Sequence, residues 1–195
     1  MFVGYFSLEA AQCVAAQPDA DDREVVEAVA NLVAKSLLTA ETGGKAIRYR
    51  LLDSTRVYAL RKLIECAESA PVARRHASHY RRILERTGKD KAAIDRAEIL
   101  GNLRAALDWS LSDGGDVEIG TALAAQAAPL LLEMSLLSEC GAWMEKAIAS
   151  LADAMRGTRR EMELQAALGQ SLMFTSGNSE EVRSAFLRGL ELAEA

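Results

Sequence analysis

The spacing of apolar residues predicts two helices at the start of the chain. From about Asp22 to Leu38, apolar side chains recur every three or four positions, as on the buried stripe of an amphipathic helix. Upstream, the stretch SLEAAQCVAA predicts a shorter helix that begins at the capping residue Ser7. The predicted stripe of the second helix consists of Val25, Val26, Val29, Leu32, Val33 and Leu37.

Farther along the chain, apolar residues recur at every second position, as in a β-strand, and no longer at every third or fourth. LLTAET and AIRYRLL each favour a short strand, and the turn GGK between them predicts a β-hairpin. Helix, helix, hairpin, helix is the element order of a winged-helix module, which we assign to residues 1–70. The last of these helices is expected to be capped by Asp53 or Ser54 and to bury Val57, Leu60, Leu63 and Ile64.

Positive charge is concentrated in one short segment. Residues 71–96 carry eight basic and three acidic residues, whereas residues 1–70 carry eight and ten, and residues 97–195 carry seven and fifteen. We interpret 71–96 as a linking helix with an apolar side and a basic side, and we expect the basic side to be solvated or to lie between domains. A phosphate-sensing or nucleic-acid face is the alternative. The candidate interaction face consists of Arg74, Arg75, Arg81, Arg82 and Arg86.

The remainder, residues 97–195, predicts antiparallel helix pairs joined by short loops. Aligning AWMEKAIASLADA with AFLRGLELAEA sets Trp143 against Phe186 and Met144 against Leu187, an offset of 43 residues. Tetratricopeptide repeats have a period of about 34 residues, so we call these pairs tetratricopeptide-like. Stacked pairs form a curved surface on which proteins or peptides can lie. Because the last helix lacks a capping sequence, we expect further chain or another copy to cover its exposed side.

Composition agrees with a mainly α protein in the cytoplasm. Half of the residues are apolar, prolines number three, and alanine and leucine dominate, which favours helices. The cysteines Cys13, Cys66 and Cys140 lie far apart and predict neither a disulfide framework nor a zinc site. The most apolar run, residues 122–134, is too short to cross a bilayer, and the N-terminus has no secretory pattern. We therefore expect no membrane contact.

No group of residues predicts catalysis or a cofactor. TGGKAI brings Gly43, Gly44 and Lys45 together, but it lacks the spacing and the magnesium-binding hydroxyl of a phosphate-binding loop. His76 and His79 are three residues apart on one helix, but no third ligand stands near them, so we expect a structural role. No nucleophile motif is present. The expectation is a protein that is not an enzyme and binds no cofactor or metal.

An ordered series of blocks carries a family resemblance over roughly residues 2 to 151. The blocks are LVAKSLLTAETGGKAIRYRLLDSTRVYALRKL, ARRHASHY and NLRAALDWSL. They resemble the region after the nucleotide-binding domain in signal-transducing NTPases with numerous domains (STAND), among them relatives of the Streptomyces antibiotic regulatory proteins. The resemblance implies an ATP-driven switch that a winged-helix module and helical repeats regulate. This chain has no phosphate-binding loop, so the resemblance places the NTPase activity outside it.

Two functional hypotheses of different class follow. The first is a regulatory fragment without chemistry that contacts its own NTPase domain, other subunits, a regulatory partner or a second copy. The second is a DNA-binding winged helix with wing contacts from Lys45, Arg48 and Arg50. Acidic residues at the start of the second helix disfavour DNA, so the first hypothesis is preferred. A third is an inducer sensor, which requires an apolar pocket among the helices of residues 117–174.

Overall fold

The computed structural model describes residues 1–16, 22–43, 46–87 and 96–194, and within them the chain is mainly helical with one small antiparallel sheet. The predicted fold class is confirmed. The chain divides into two compact units, one comprising Met1–Ile83 with Ala92–Asp108 and the other Leu84–Lys91 with Trp109–Ala195. The assignment of domains to residues 1–70, 71–96 and 97–195 stays a prediction.

The elements follow in this order. They are β1 (Tyr5–Phe6), α1 (Leu8–Ala15), α2 (Asp22–Ala34), β2 (Leu38–Gly43), β3 (Ala46–Leu51), α3 (Asp53–Glu65), α4 (Ser69–Thr87), α5 (Arg96–Ser110), α6 (Val117–Glu133), α7 (Leu137–Ala149), a 3₁₀ turn (Asp153–Met155), α8 (Arg159–Ser176) and α9 (Glu180–Glu194).

Helix α1 begins where the sequence predicted. The Oγ of Ser7 accepts a hydrogen bond from the backbone N–H of Ala10 at 3.1 Å, which satisfies one of the free donors of the first turn. The prediction of the cap is confirmed.

Helix α2 ends at Ala34, so the predicted end at Leu38 is wrong. The chain leaves the helix because Ser36 adopts a left-handed conformation with φ 56°. The N–H of Leu37 then donates to the carbonyl of Leu32 at 2.9 Å, closing the last turn. As a result Leu37 is 39% exposed, whereas Leu38 begins β2 and is buried. Val26, also predicted to be buried, is 40% exposed.

The hairpin is confirmed, and a short third strand completes the sheet. The strand order is β1-β3-β2, all antiparallel, with Leu38 opposite Leu51 and Phe6 opposite Tyr49. Alternate side chains of the sheet pack on α1 and α2, since the buried cluster joins Phe6 and Leu38 to Ala10, Ala11 and Val29. This packing provides the hydrophobic face that a small sheet requires for stability.

Helix α3 buries only part of the side that was predicted, since Leu60 is half-buried. Val57 and Ile64 are 63% and 68% exposed, and Leu63 is only half-buried. The capping prediction is also wrong, because Leu52 is the N-cap residue without a side-chain hydrogen bond and Asp53 already belongs to the helix. The inward side of α3 includes Ala59 and Leu63. These two residues line a cavity together with residues of α1 and α2.

A buried asparagine of α5 holds the N-terminal segment of the chain. The Nδ2 group of Asn102 donates to the carbonyl of Tyr5 at 2.8 Å, and its Oδ1 accepts from the N–H of Val3 at 2.8 Å. Asn102 is fully buried, so its amide replaces the backbone partner that a neighbouring strand would supply. A Cβ added at Gly101 would overlap the carbonyl oxygen of Val3. Glycine is therefore required where α5 approaches this segment.

In the second unit, neighbouring helices pack in sequence, α6 on α7, α7 on α8 and α8 on α9. The last of these helices, α9, packs on α8 from Glu180 to Glu194. Met144 and Leu187, which the repeat alignment placed at equivalent positions, differ in burial. Met144 is fully buried, whereas Leu187 is 49% exposed. The helix pairs are therefore present, and their likeness to tetratricopeptide repeats stays a prediction.

An ion pair links α8 to α9 within this unit. Glu161 is buried, and its carboxylate accepts from Arg188 through Nε at 3.0 Å and Nη2 at 3.3 Å. The same carboxylate accepts from the N–H of Gly157 at 2.6 Å. The hydrogen bonds from Arg188 are the main reason that the pKa of Glu161 lies below its usual value. The paired guanidinium fixes the position of α9 on α8.

Substituting Gly101→Ala should destabilise the protein by about 1 to 3 kcal/mol, because the new methyl group has no room beside Val3. The matched control is Gly189→Ala in α9, where an added Cβ meets its nearest neighbours only at 3.8 to 4.0 Å. The control should be neutral or stabilising by up to about 1 kcal/mol. Urea unfolding followed by circular dichroism measures both, and equal effects would contradict the close approach of α5.

Candidate functional site

The outer face of the three-stranded sheet is the first candidate site, and we call it the sheet face. Strand alternation sends Arg48 and Arg50 to the side opposite Tyr49 and Leu51, which pack on the apolar cluster. Across the strands, Arg50 lies opposite both Tyr5 and Thr39, and Arg48 lies opposite Glu41. The sheet face therefore consists of Tyr5, Thr39, Glu41, Arg48 and Arg50.

The two arginines of the sheet face share one aromatic ring. The guanidinium carbon of Arg48 lies 4.7 Å from the centroid of the Tyr5 ring, and that of Arg50 lies 5.9 Å from it. The hydroxyl of Tyr5 donates to Glu41 at 3.0 Å. Tyr5 is itself positioned by the bond from Asn102 to its carbonyl. The wing arginines are thus engaged with protein groups, and the carboxylate of Glu41 offsets part of their charge.

Lys45, the third predicted wing contact, lies outside the described residues. Tyr5 and Glu41 were not predicted as site residues. Counting outward from the glycine turn would have paired Arg48 with Glu41, because antiparallel register fixes that partner. Nothing local marks Tyr5, since β1 is only two residues long and shows no alternation.

The solvent side of α2 is the surface that a helix-turn-helix protein would place in the major groove of DNA. Its exposed charged residues comprise three acidic and two basic ones, namely Asp22, Glu24, Glu27, Arg23 and Lys35. Phosphate attraction provides most of the affinity of such proteins for DNA, so a surface with an acidic excess is unfavourable.

The predicted basic face of α4 is not uniformly exposed. Arg74, Arg82 and Arg86 are exposed, whereas Arg75 and Arg81 are half-buried. The Nε of Arg75 donates to the carbonyl of Val14 at 2.8 Å, so this residue ties α4 to the end of α1. Residues 88–95 of the predicted basic segment lie outside the described residues. Of the five predicted arginines, Arg74, Arg82 and Arg86 are therefore the exposed ones.

His76 and His79 are buried, and His76 belongs to the network around Asn102. Its Nε2 lies 3.3 Å from Asn102 Oδ1, and its ring lies against the rings of Phe2 and Tyr80. Burial lowers the pKa of His76 to about 4, so the imidazole is neutral near pH 7 and donates its Nε2 proton to the amide oxygen. Over the described ranges, no group of three metal-ligating side chains comes together.

Described residues of both units line cavities. In the first unit a cavity of about 500 Å³ is lined mainly by apolar residues of the N-terminal segment, α1, α2 and α3. In the second unit a groove of about 760 Å³ runs between α6 and α8, in the region where the inducer-sensor hypothesis requires an apolar pocket. Its walls mix the apolar Leu132 and Met162 with the charged Glu133, Arg159 and Glu163. The groove is therefore more polar than the apolar pocket that the inducer-sensor hypothesis requires.

Comparison with known proteins shows that the chain is similar to proteins named as transcriptional regulators. The chain is 37% identical over 148 residues, 73% of its length, to proteins named "Putative HTH-type transcriptional regulator" from Mycobacterium bovis and from Mycobacterium tuberculosis strain H37Rv. It is also 38% identical over 80 residues, 40% of its length and 20% of theirs, to uncharacterised proteins of the same two species. The similarity supports a regulator family.

The chain spans 17% of the length of the regulators it resembles. No protein-family model and no solved structure matches it. Across the part of the chain that the structure describes, no helix has both the length and the apolar character needed to span a bilayer.

The buried state of His76 predicts an acid-sensitive fold. The ring is neutral in the folded protein down to about pH 4, whereas in the unfolded chain it takes up a proton near pH 6.5. Stability is therefore complete above pH 6.5 and falls as the pH drops toward 4. From pH 7.5 to pH 5 we expect a loss of about 2 kcal/mol from this residue, measured by urea unfolding.

The control for this prediction is His76→Gln, whose amide can still donate to Asn102 but does not titrate. The variant should lose clearly less stability over the same pH range than the wild type. A pH dependence identical to that of the wild type would contradict the assignment of the effect to His76.

Proposed function

We propose that this chain is a regulatory segment of a transcriptional regulator and that it acts by contacting protein, with no reaction of its own. The similarity to proteins named as regulators supports the regulatory part. The observation that carries the protein-contact part is the acidic excess on the exposed residues of α2, where three carboxylates stand against Arg23 and Lys35. A helix of this charge is unfavourable in the major groove but is suitable for a surface between proteins.

We further propose that the segment couples an NTPase domain, located elsewhere in the regulator, to the helix pairs that follow. The STAND-like order of a winged-helix module, a basic helix and helix pairs supports this assignment. Arg74 and Arg82 are exposed on α4, and bidentate pairing with carboxylates makes arginine well suited to contact with acidic side chains.

Direct DNA binding is the second candidate function. The adjacent Arg48 and Arg50 on the sheet face favour it, and so does the HTH designation in the names of the relatives. In this candidate the arginines exchange the ring of Tyr5 and the carboxylate of Glu41 for phosphate oxygens.

Titration of a fluorescent random-sequence DNA duplex with the protein at about 50 mM salt separates the two candidates. We expect no saturable binding up to about 100 µM protein, the weak end of non-specific binding. The double variants Arg48→Gln with Arg50→Gln, and Arg74→Gln with Arg82→Gln, should behave like the wild type. Binding that weakens steeply with salt and disappears in the first double variant would establish the DNA function and overturn the proposal.

Protein contact through α4 predicts binding to a full-length mycobacterial relative. Charge reversal of Arg74 and Arg82 to Glu should weaken that binding by about tenfold or more, because it replaces attraction by repulsion at two exposed positions. The matched control is Arg61→Glu on α3, an arginine whose side chain is 69% exposed. Isothermal titration calorimetry provides the affinities. Equal weakening by the control, or no binding by the wild type, would contradict the role of α4.

A further inference from the structure

Helix α9 has a second apolar side in addition to the one that packs on α8. Val182, Ala185 and Gly189 are buried on the packed side. On another side, Leu187 and Leu190 are 49% and 55% exposed. These two leucines are about half exposed, although the opposite side of the helix is already packed. Exposed neighbouring leucines of this kind indicate a surface for a partner.

These leucines belong to a regular stripe with opposite charges at its ends. Arg183, Leu187, Leu190 and Glu194 follow one another at intervals of four, three and four residues, which places them in one line along the helix. The side chain of Arg183 is 69% exposed, and its ion pair with Glu180 is long, at 4.0 Å. Glu194 is exposed at the other end. We call these four residues the α9 stripe.

The α9 stripe is complementary to itself in one orientation only. When two copies of α9 lie antiparallel about a two-fold axis, Leu187 of each copy meets Leu190 of the other, and Arg183 meets Glu194. Two apolar layers are then flanked by two opposite-charge pairs. In a parallel arrangement in register, Arg183 would meet Arg183 and Glu194 would meet Glu194, which is unfavourable.

The position of α9 within its own unit is fixed before any partner arrives. Arg188 projects from a different side of the helix and is held by the buried carboxylate of Glu161 at 3.0 Å. The ring of Phe186 lies against Gly169 of α8, where an added Cβ would come within 2.9 Å of it. Because the helix is already ordered, association needs to order only the side chains of the stripe.

We infer that the occupant of the α9 stripe is a second copy of this chain, which pairs α9 with α9 antiparallel in a two-fold symmetric dimer. The interface is small, so the dimer is a weak one, with a dissociation constant in about the micromolar range. This inference goes beyond the proposed regulatory function and does not depend on it.

Sedimentation velocity of the full chain over a range of concentrations tests the dimer. The wild type should show a reversible monomer–dimer equilibrium. Leu187→Glu should abolish it, since the variant places a carboxylate in both apolar layers. Leu187 is 49% exposed, so this variant should retain the wild-type circular dichroism.

A charge exchange tests the orientation of the two helices. Arg183→Glu alone and Glu194→Arg alone should each weaken the dimer by about tenfold, because each creates two like-charge contacts. The two substitutions together should restore the wild-type affinity, since the antiparallel pairs are then opposite in charge again. The matched control is Arg159→Glu on α8, an exposed arginine outside the stripe, which should leave dimerisation unchanged.

The remaining outcomes overturn the inference. A wild type that remains monomeric up to about millimolar concentration lacks the interface. A double charge variant that dimerises no better than either single variant has a different orientation or a different surface. Dimerisation that survives Leu187→Glu, or that is lost in Arg159→Glu, places the contact elsewhere on the protein.

Discussion

The side-chain amide of Asn102 is the interaction on which the first unit depends. It accepts from Val3, donates to Tyr5 and lies next to the ring nitrogen of His76, and the side chains of Asn102 and His76 are themselves buried. Leaving a buried polar group without its partner costs about 1 to 3 kcal/mol, so these bonds must form together. The absence of a side chain at Gly101 allows the approach that makes them possible. The position of β1, and with it the sheet face, follows from this network.

The sheet face connects this network to function. Tyr5 is held through its backbone on the buried side, and on the outer side its ring and hydroxyl engage Arg48, Arg50 and Glu41. A surface in which cations already have aromatic and acidic partners must give up those contacts to bind phosphate. Together with the acidic side of α2, this supports the proposed role in contacts between proteins. Arg74 and Arg82, which lie exposed on α4, are the residues that we propose for contact with an acidic partner.

Elements whose apolar residues recur regularly could be predicted from the sequence, because burial of one side of the element imposes that spacing on its residues. The start of α1 was predictable from its capping residue Ser7, and the hairpin from two alternating segments around a glycine turn. The end of α2 was not, since Leu37 continues the apolar spacing after Ser36 has already turned the chain. Strand β1 is too short to show alternation, and a buried asparagine has no local signature. For Glu161, the sequence T-x-x-E from Thr158 did carry a signal, that of a helix start.

The contacts of Asn102 also determine when the first unit can be completed during synthesis. The amide lies 99 residues after Val3 and 97 after Tyr5, so both bonds close very long loops. Contacts of such high sequence separation form late, because most of the loop entropy is lost before they are gained. On the ribosome, a nascent chain that ends before α5 leaves the backbone of Val3 and Tyr5 without these partners. The β1 edge of the partly formed sheet then remains exposed to solvent until Asn102 has been synthesised.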